Sequence, residues 1–214
     1  MKLRQLGKSD VRVPPIILGT WAIGGWMWGG SDEKRAIDAI RASINQGIDA
    51  IDTAPIYGMG LSESIVGKAI QGKRDKVVIA TKCGLRWDTE EGSDPWTSQD
   101  RTGNPIVIRK NLRPASIFQE CEQSLKRLNT DHIDLYQIHW PDESTPIEDS
   151  WNAMAKLKKQ GKVRAIGVSN YSLEQLKLAH ALHRVDSIQP PYSLIRKGIE
   201  KDLIPFCETQ KIGA

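Results

Sequence analysis

Six short apolar runs recur along the chain: PIILGT (15–20), GIDAID (47–52), KVVIAT (76–81), HIDLYQIH (132–139), KVRAIGVS (162–169) and VDSIQP (185–190). They are too short for core helices and rich in Val and Ile, which reads as buried parallel strands. Amphipathic segments lie between them. SDEKRAIDAIRASINQG (31–47) opens on a Ser/Asp cap and closes on Gly47, and SESIVGKAIQG (62–72) stops at another glycine. RPASIFQECEQSLKRLN (113–129) and TPIEDSWNAMAKLKKQGK (145–162) carry proline in the first turn, where a helix tolerates it. SLEQLKLAHALHR (172–184) and IEKDLIPFCETQKIG (199–213) follow, the second interrupted by Pro205.

Strand and helix alternating at this pace predict a parallel α/β architecture. A doubly wound nucleotide-binding sheet calls for G-x-G-x-x-G after its first strand. That turn here is GTWAIGGWMWGG, which lacks the pattern. A (β/α)₈ barrel has no such requirement and collects its chemistry at the C-terminal ends of its strands. Ahead of the first strand, KLRQL and VRVPP flank GKSD, a small hairpin. Residues 84–112 are polar and broken by glycine and proline, which predicts a long lid or binding loop. With no linker or repeat, residues 1–214 read as one domain.

The charged residues, 30 basic and 26 acidic, are interspersed, so nothing marks a nucleic-acid-binding face. No apolar run approaches the length of a membrane span, and the polar N-terminus MKLRQLGKSD is no signal peptide. Cys83, Cys121 and Cys207 are odd in number and widely spaced, which fits reduced thiols in the cytoplasm better than disulfides or zinc.

The strand ends carry polar groups in succession: Asp52 with Tyr57 close behind, then Lys82, His139, Ser169 with Asn170, and Gln189. Any one of them alone reads as a helix cap, an exposed lysine or a core histidine. In a parallel barrel all of them face one opening. Tyrosine is a protonated acid at neutral pH, and a nearby ammonium lowers its pKa. Asp52 holding Lys82, and Lys82 tuning Tyr57, make a general acid for a carbonyl oxygen, with His139 bonded to that oxygen. The hydride must come from a cofactor. Ser169, Asn170 and Gln189 are the kind of groups that a nicotinamide carboxamide needs.

These residues resemble the aldo-keto reductases. The resemblance runs through GTWAIGG (19–25), IDTAPIYGMGLSE (51–63), IATKCG (79–84), LYQIHWPD (135–142), GVSNYS (167–172) and IQPPYS (188–193). It implies a (β/α)₈ TIM barrel that reduces small carbonyl compounds with NADPH, or less often NADH. It implies catalytic roles for Asp52, Tyr57, Lys82 and His139, with Tyr57 as the acid. It places Gly19, Thr20, Trp21, Asp52, Ser169, Asn170 and Gln189 against the cofactor. Six strands are present where the family has eight, and KIGA (211–214) reads as the approach to a seventh, so the chain is expected to be a fragment. The family's pyrophosphate loop, 2′-phosphate grip and nicotinamide-stacking aromatic lie in the units that the sequence lacks. The alternative function is a non-catalytic binding or regulatory module on the same fold, or a catalytically incompetent fragment of it.

Trp21, Trp26, Trp28, Trp87, Trp96 and Trp140 either line a pocket mouth or pack the loops. His180 and His183 have no acidic or cysteine partner nearby and read as helix surface rather than a metal site. Cys83 reads as a small buried residue.

Overall fold

The computed structural model describes residues 1–30 and 32–214; the Ser31 half of the expected Ser/Asp cap lies outside them. A hairpin of β1 (Arg4–Gln5) and β2 (Arg12–Val13) comes first, in the register Arg4 opposite Val13. The parallel sheet is built from β3 (Leu18–Gly19), β4 (Ala50–Asp52), β5 (Val78–Cys83), β9 (Ile133–Ile138), β10 (Val163–Ser169) and β11 (Ser187–Gln189). Its spatial order is β3-β4-β5-β9-β10-β11, with every pair parallel. This is the six-strand part of a barrel that the sequence predicts. Gly213 forms a parallel bridge to Ser187 on the far side of β11, where KIGA was expected to begin a further strand.

Among the described residues, five helices carry the crossovers, α1 (Glu33–Asn45), α2 (Leu61–Ala69), α3 (Pro114–Leu128), α4 (Ile147–Lys159) and α5 (Leu173–Leu182), and α6 (Leu203–Gln210) follows β11. Their ends follow local chemistry. Asp32 caps α1 by accepting from the Arg35 amide, and Pro114 stands in the first turn of α3. A reciprocal Ser172–Gln175 capping box starts α5. Pro205 interrupts nothing, because α6 starts at Leu203 and the proline falls in its first turn. No helix among the described residues is long and apolar enough to cross a membrane.

The main core lies between helices and sheet, with Ile51, Ile79, Tyr136, Ile138, Trp151 and Ile166 among its buried members. A second cluster closes the floor of the barrel. There Val11 of the hairpin region meets Ala80, Leu135 and Ala165, the inward-facing residues of three strands. Asp134, also buried, accepts from the Ile79 amide, Arg74 and Arg164, and Arg164 reaches on to Asp10 of the hairpin turn. Hairpin and sheet are therefore joined by charge as well as by apolar contact.

Residues 84–112 depart from the expected loop. They form a three-stranded antiparallel sheet of β6 (Leu85–Arg86), β7 (Ser93–Gln99) and β8 (Pro105–Lys110). The register slips between Ser93 and Trp96, at a bulge where Asp94 takes a left-handed φ of 45° and Pro95 needs no ladder bond. Asp142, beyond β9, anchors this sheet. It accepts from Ser93 Oγ, the Leu112 amide, Ser144 Oγ and amide, and Thr145 Oγ1.

Candidate active site

Register brings the strand-end groups together. Asp52 of β4 pairs with Ala80 of β5, and Lys82 stands two residues further along. Residues two apart on a strand share a face, so Lys82 lies inside the barrel above Ala80 and reaches back to Asp52. Its ammonium is 2.8 Å from each carboxylate oxygen of Asp52, 3.1 Å from the Thr53 carbonyl and 3.3 Å from the Tyr57 hydroxyl. The His139 ring stands edge-on to Tyr57, with centroids 5.9 Å apart and planes at 82°.

Two loops hold Tyr57 in that position. Gly24 and Gly58 press backbone to backbone: a Cβ on Gly58 (φ +68°) would lie 2.0 Å from the Gly24 carbonyl oxygen. This approach lays Trp21 over Tyr57, with centroids 6.1 Å apart and an interplanar angle of 24°. Trp26 and Trp28 pack around Trp21, and Trp26 Nε1 donates to Ser98 of β7. Trp26 and Trp87 pack in one apolar cluster with Tyr57 beside β6 and β8. Trp28, Trp96 and Trp140 stay exposed.

The charges are set by burial as well as by neighbours. Burial opposes the charge on Lys82, but Asp52 and Tyr57 outweigh it and the lysine pKa is raised. For Tyr57, burial raises the pKa, Lys82 lowers it and Asp52 raises it again; the net direction is upward. The sequence alone predicts that Lys82 lowers the pKa of this phenol. Lys82 does pull that way, but desolvation of the phenolate is the larger effect. His139 is pushed well below the usual imidazole range, first by burial and then by Lys82, so it is neutral at pH 7.

The remaining expected residues divide into two groups. Thr20 is fully buried: its amide and hydroxyl both donate to the Asp52 carbonyl, and its Oγ1 accepts from Ser62. Ser169 donates to the Gln189 carbonyl and accepts from Asn170 Nδ2, which also donates to the His139 carbonyl. These hydroxyls are occupied within the fold. Gly19, Trp21 and Gln189 are exposed, and no hydrogen bond among the described residues engages Asn170 Oδ1 or the Gln189 side chain. Gly19, Asp52 and Gln189 line one cavity of about 740 Å³ on the inner face of the sheet.

His180 accepts from the Val185 amide and packs edge-on against Phe206, while His183 bonds Asn152. Neither belongs to a metal-binding group among the described residues. Cys83 is buried, and burial pushes its thiol well up, as expected of an inert side chain. Sequence reasoning missed Ser62, whose hydroxyl donates to Thr20 and ties the loops around the site; a short polar side chain gives no pattern to find.

Residues 15–214 match the family described as the Aldo/keto reductase family. The chain belongs to the aldo/keto reductase family. It is 46% identical over 214 residues to aldo-keto reductase YhdN of Bacillus subtilis (strain 168), covering 99% of this chain and 60% of that protein. It is 39% identical to the NADH-specific methylglyoxal reductase of Escherichia coli (strain K12), covering 99% of this chain and 65% of that one. Among solved structures, the glycerol dehydrogenase AKR11B4 from Gluconobacter oxydans superimposes with a TM-score of 0.84 at 43% identity, over 98% of this chain and 61% of that one. An aldo/keto reductase from Klebsiella pneumoniae in complex with NADP and acetate gives 0.77 at 33% identity, over 99% and 65%. This aldo/keto reductase chain thus spans about three-fifths of the length of these relatives.

Proposed function

We propose that the protein reduces aldehydes or ketones to alcohols with NADPH as hydride donor, NADH being the alternative, and that Tyr57 is the general acid. The observation that carries this reading is the Lys82 ammonium, shared at the strand-end rim between the Asp52 carboxylate and the Tyr57 hydroxyl. The nicotinamide, when bound, supplies the hydride. Tyr57 is protonated at neutral pH and gives its proton to the carbonyl oxygen as negative charge develops there. Lys82 stabilises the phenolate that remains, and Asp52 keeps Lys82 charged and aimed. Neutral His139 lies close enough to Tyr57 to hydrogen-bond the same oxygen.

The residues present suit the nicotinamide end of such a cofactor. Asn170 and Gln189 each offer a carboxamide with bonding capacity to spare, and their counterpart would be a carboxamide too. Thr20 and Ser169 serve in this reading as supports that fix Asp52 and Asn170. Gly19 and Trp21 present an open surface beside them. The three cysteines are free and buried, which supports a cytoplasmic setting.

Two relatives are named as methylglyoxal reductases, so a small α-oxoaldehyde is the first substrate to try. The test is oxidation of NADPH, and separately NADH, by the full-length protein with methylglyoxal and a panel of larger aldehydes. Aldehyde-dependent oxidation that Tyr57→Phe abolishes is the expected result. No aldehyde-dependent oxidation of either nucleotide would overturn the proposal.

A further inference from the structure

Behind the strand-end rim, on the helix side of the sheet, lies a second cluster of titratable groups. Glu120 of α3 is almost wholly buried (1% exposed). Its Oε2 accepts from the Gly84 amide at 2.9 Å and its Oε1 from Ser116 Oγ at 3.1 Å. Gly84 immediately follows β5, two residues beyond Lys82. The other side of the same peptide is the Cys83 carbonyl, which accepts the His139 amide at 3.0 Å. One peptide unit, Cys83–Gly84, is thus held by Glu120 through its N–H and holds His139 through its carbonyl. It also continues directly from Lys82.

We propose that Glu120 is a positioning residue whose charge, acting through the Cys83–Gly84 peptide, fixes how Lys82 and His139 sit relative to each other. The inference rests on the reading of Lys82 and His139 given under Proposed function. A hydrogen bond to a carboxylate is roughly twice as strong as one to a neutral acceptor, so ionisation of Glu120 tightens and polarises the peptide. That strengthens the Cys83 carbonyl as an acceptor for His139.

The charge on Glu120 is poised to change near neutrality. Burial raises its pKa to about 7, against the pull of the Gly84 amide, Arg86 and Ser116. The groups that face it from neighbouring elements do not titrate there. On β5, burial pushes Cys83 well up. On β9, burial pushes Tyr136 well up. On α3 itself, Cys121 is pushed up to about 12. Arg86 of β6 stays charged, and it bonds Ser116 and Asp88; the Asp88 pKa is lowered. His139 ionises only well below neutrality.

The sequence permits a direct test. Cys83–Gly84 is the only Cys-Gly pair and Ile138–His139 the only Ile-His pair in the chain. Labelling with carbonyl-¹³C cysteine and ¹⁵N glycine therefore marks one peptide in a carbonyl-filtered spectrum. Carbonyl-¹³C isoleucine with ¹⁵N histidine marks the other. Both are followed in the intact protein from pH 5.5 to 8.5, with no substrate or turnover involved. The expected result is one shared midpoint near 7 for the Gly84 and His139 amides. In Glu120→Gln, which keeps an acceptor but cannot ionise, both peaks should remain and neither should titrate. A Gly84 amide that titrates while His139 stays fixed overturns the coupling, and so does the absence of any titration in the wild type. Should Glu120→Gln fail to fold, the two wild-type peaks still decide the question. The result stands apart from the reductase assay, so failure of either is seen separately.

Discussion

The Lys82 ammonium touches both oxygens of Asp52 at 2.8 Å and the Tyr57 hydroxyl at 3.3 Å, with only 2% of the lysine side chain exposed. Lys82→Met removes the cation and leaves the Asp52 carboxylate largely buried without it. Breaking such a pair from one side costs about 3–5 kcal/mol, so the urea midpoint should fall sharply. The same change removes the one influence that lowers the Tyr57 pKa. The tyrosinate difference spectrum, taken against Tyr57→Phe, should place the Tyr57 midpoint higher in Lys82→Met than in the wild type. An unmoved midpoint would cut the electrostatic link between the two residues.

Tyr57→Phe keeps the ring that Trp21 covers and removes only the hydroxyl. In the reductase reading, loss of the general acid should lower kcat by at least about a hundredfold, near 3 kcal/mol in the barrier. Affinity for the nicotinamide cofactor should change little. Steady-state kinetics alongside nucleotide titration separate the two, and near-normal turnover would remove Tyr57 from the role of acid.

The loops that seat Tyr57 meet where side chains have no room. Gly58→Ala adds a Cβ within 2.0 Å of the Gly24 carbonyl oxygen at a φ of +68°. Left-handed strain of about 1–2 kcal/mol adds to that overlap, so the loops must part. Gly72→Ala is the control: its φ is +74° but nothing lies within 4 Å of the added Cβ. The Gly58 variant should lose more stability than the control and should alter tryptophan emission, because Trp21 leaves its place over Tyr57. Equal losses in the two variants would mean that the close approach has no energetic weight.

The parallel sheet was legible because Val- and Ile-rich runs alternate with capped amphipathic helices. The strand-end groups were legible because register projects them to one rim. Several features carried no such signal. The β7–β8 hairpin has a polar strand containing Pro95 and a bulge, so it lacks the period-two apolar pattern that marks a strand. Glu120 sits on an amphipathic helix, where a glutamate ordinarily faces water, and only the fold reveals that it faces β5. The direction of the Tyr57 shift depends on desolvation, which residue identity alone does not give. Thr20 and Ser169 have the right chemistry to touch a ligand, yet the fold already engages both hydroxyls.

Asp142 gathers five hydrogen bonds: those from Ser93 and Leu112 tie the β7–β8 segment to the loop after β9, and the other three order that loop. Asp142→Ala leaves the buried Leu112 amide without its acceptor, a loss of about 1–3 kcal/mol. The effect should be local: hydrogen exchange should quicken across β7 and β8 while β5 and β9 keep their protection. In the reductase reading, the hairpin forms part of the mouth through Trp26 and Ser98, so relative rates across a panel of aldehydes should shift as well. Uniform loss of protection throughout the sheet would show instead that Asp142 supports the whole fold.

Glu120 also makes a thermodynamic prediction. Its folded pKa of about 7 stands above the reference value of 4.5. A carboxyl with a raised pKa binds more protons in the folded chain than in the unfolded one between those two values. Its contribution to stability is therefore fully present below about pH 4.5 and is lost as pH rises through 7. The loss approaches about 3 kcal/mol, since each unit of pKa difference is worth about 1.4 kcal/mol. Glu120→Gln has no such proton to lose. Urea unfolding at pH 5, 6, 7 and 8 should therefore show the wild type falling relative to Glu120→Gln as pH rises, with the steepest change below 7. Asp142, whose pKa is lowered by its hydrogen bonds against the effect of burial, works in the opposite sense, but at more acidic pH. Parallel stability curves for the two proteins across this range would mean that Glu120 keeps an ordinary carboxylate pKa in the fold.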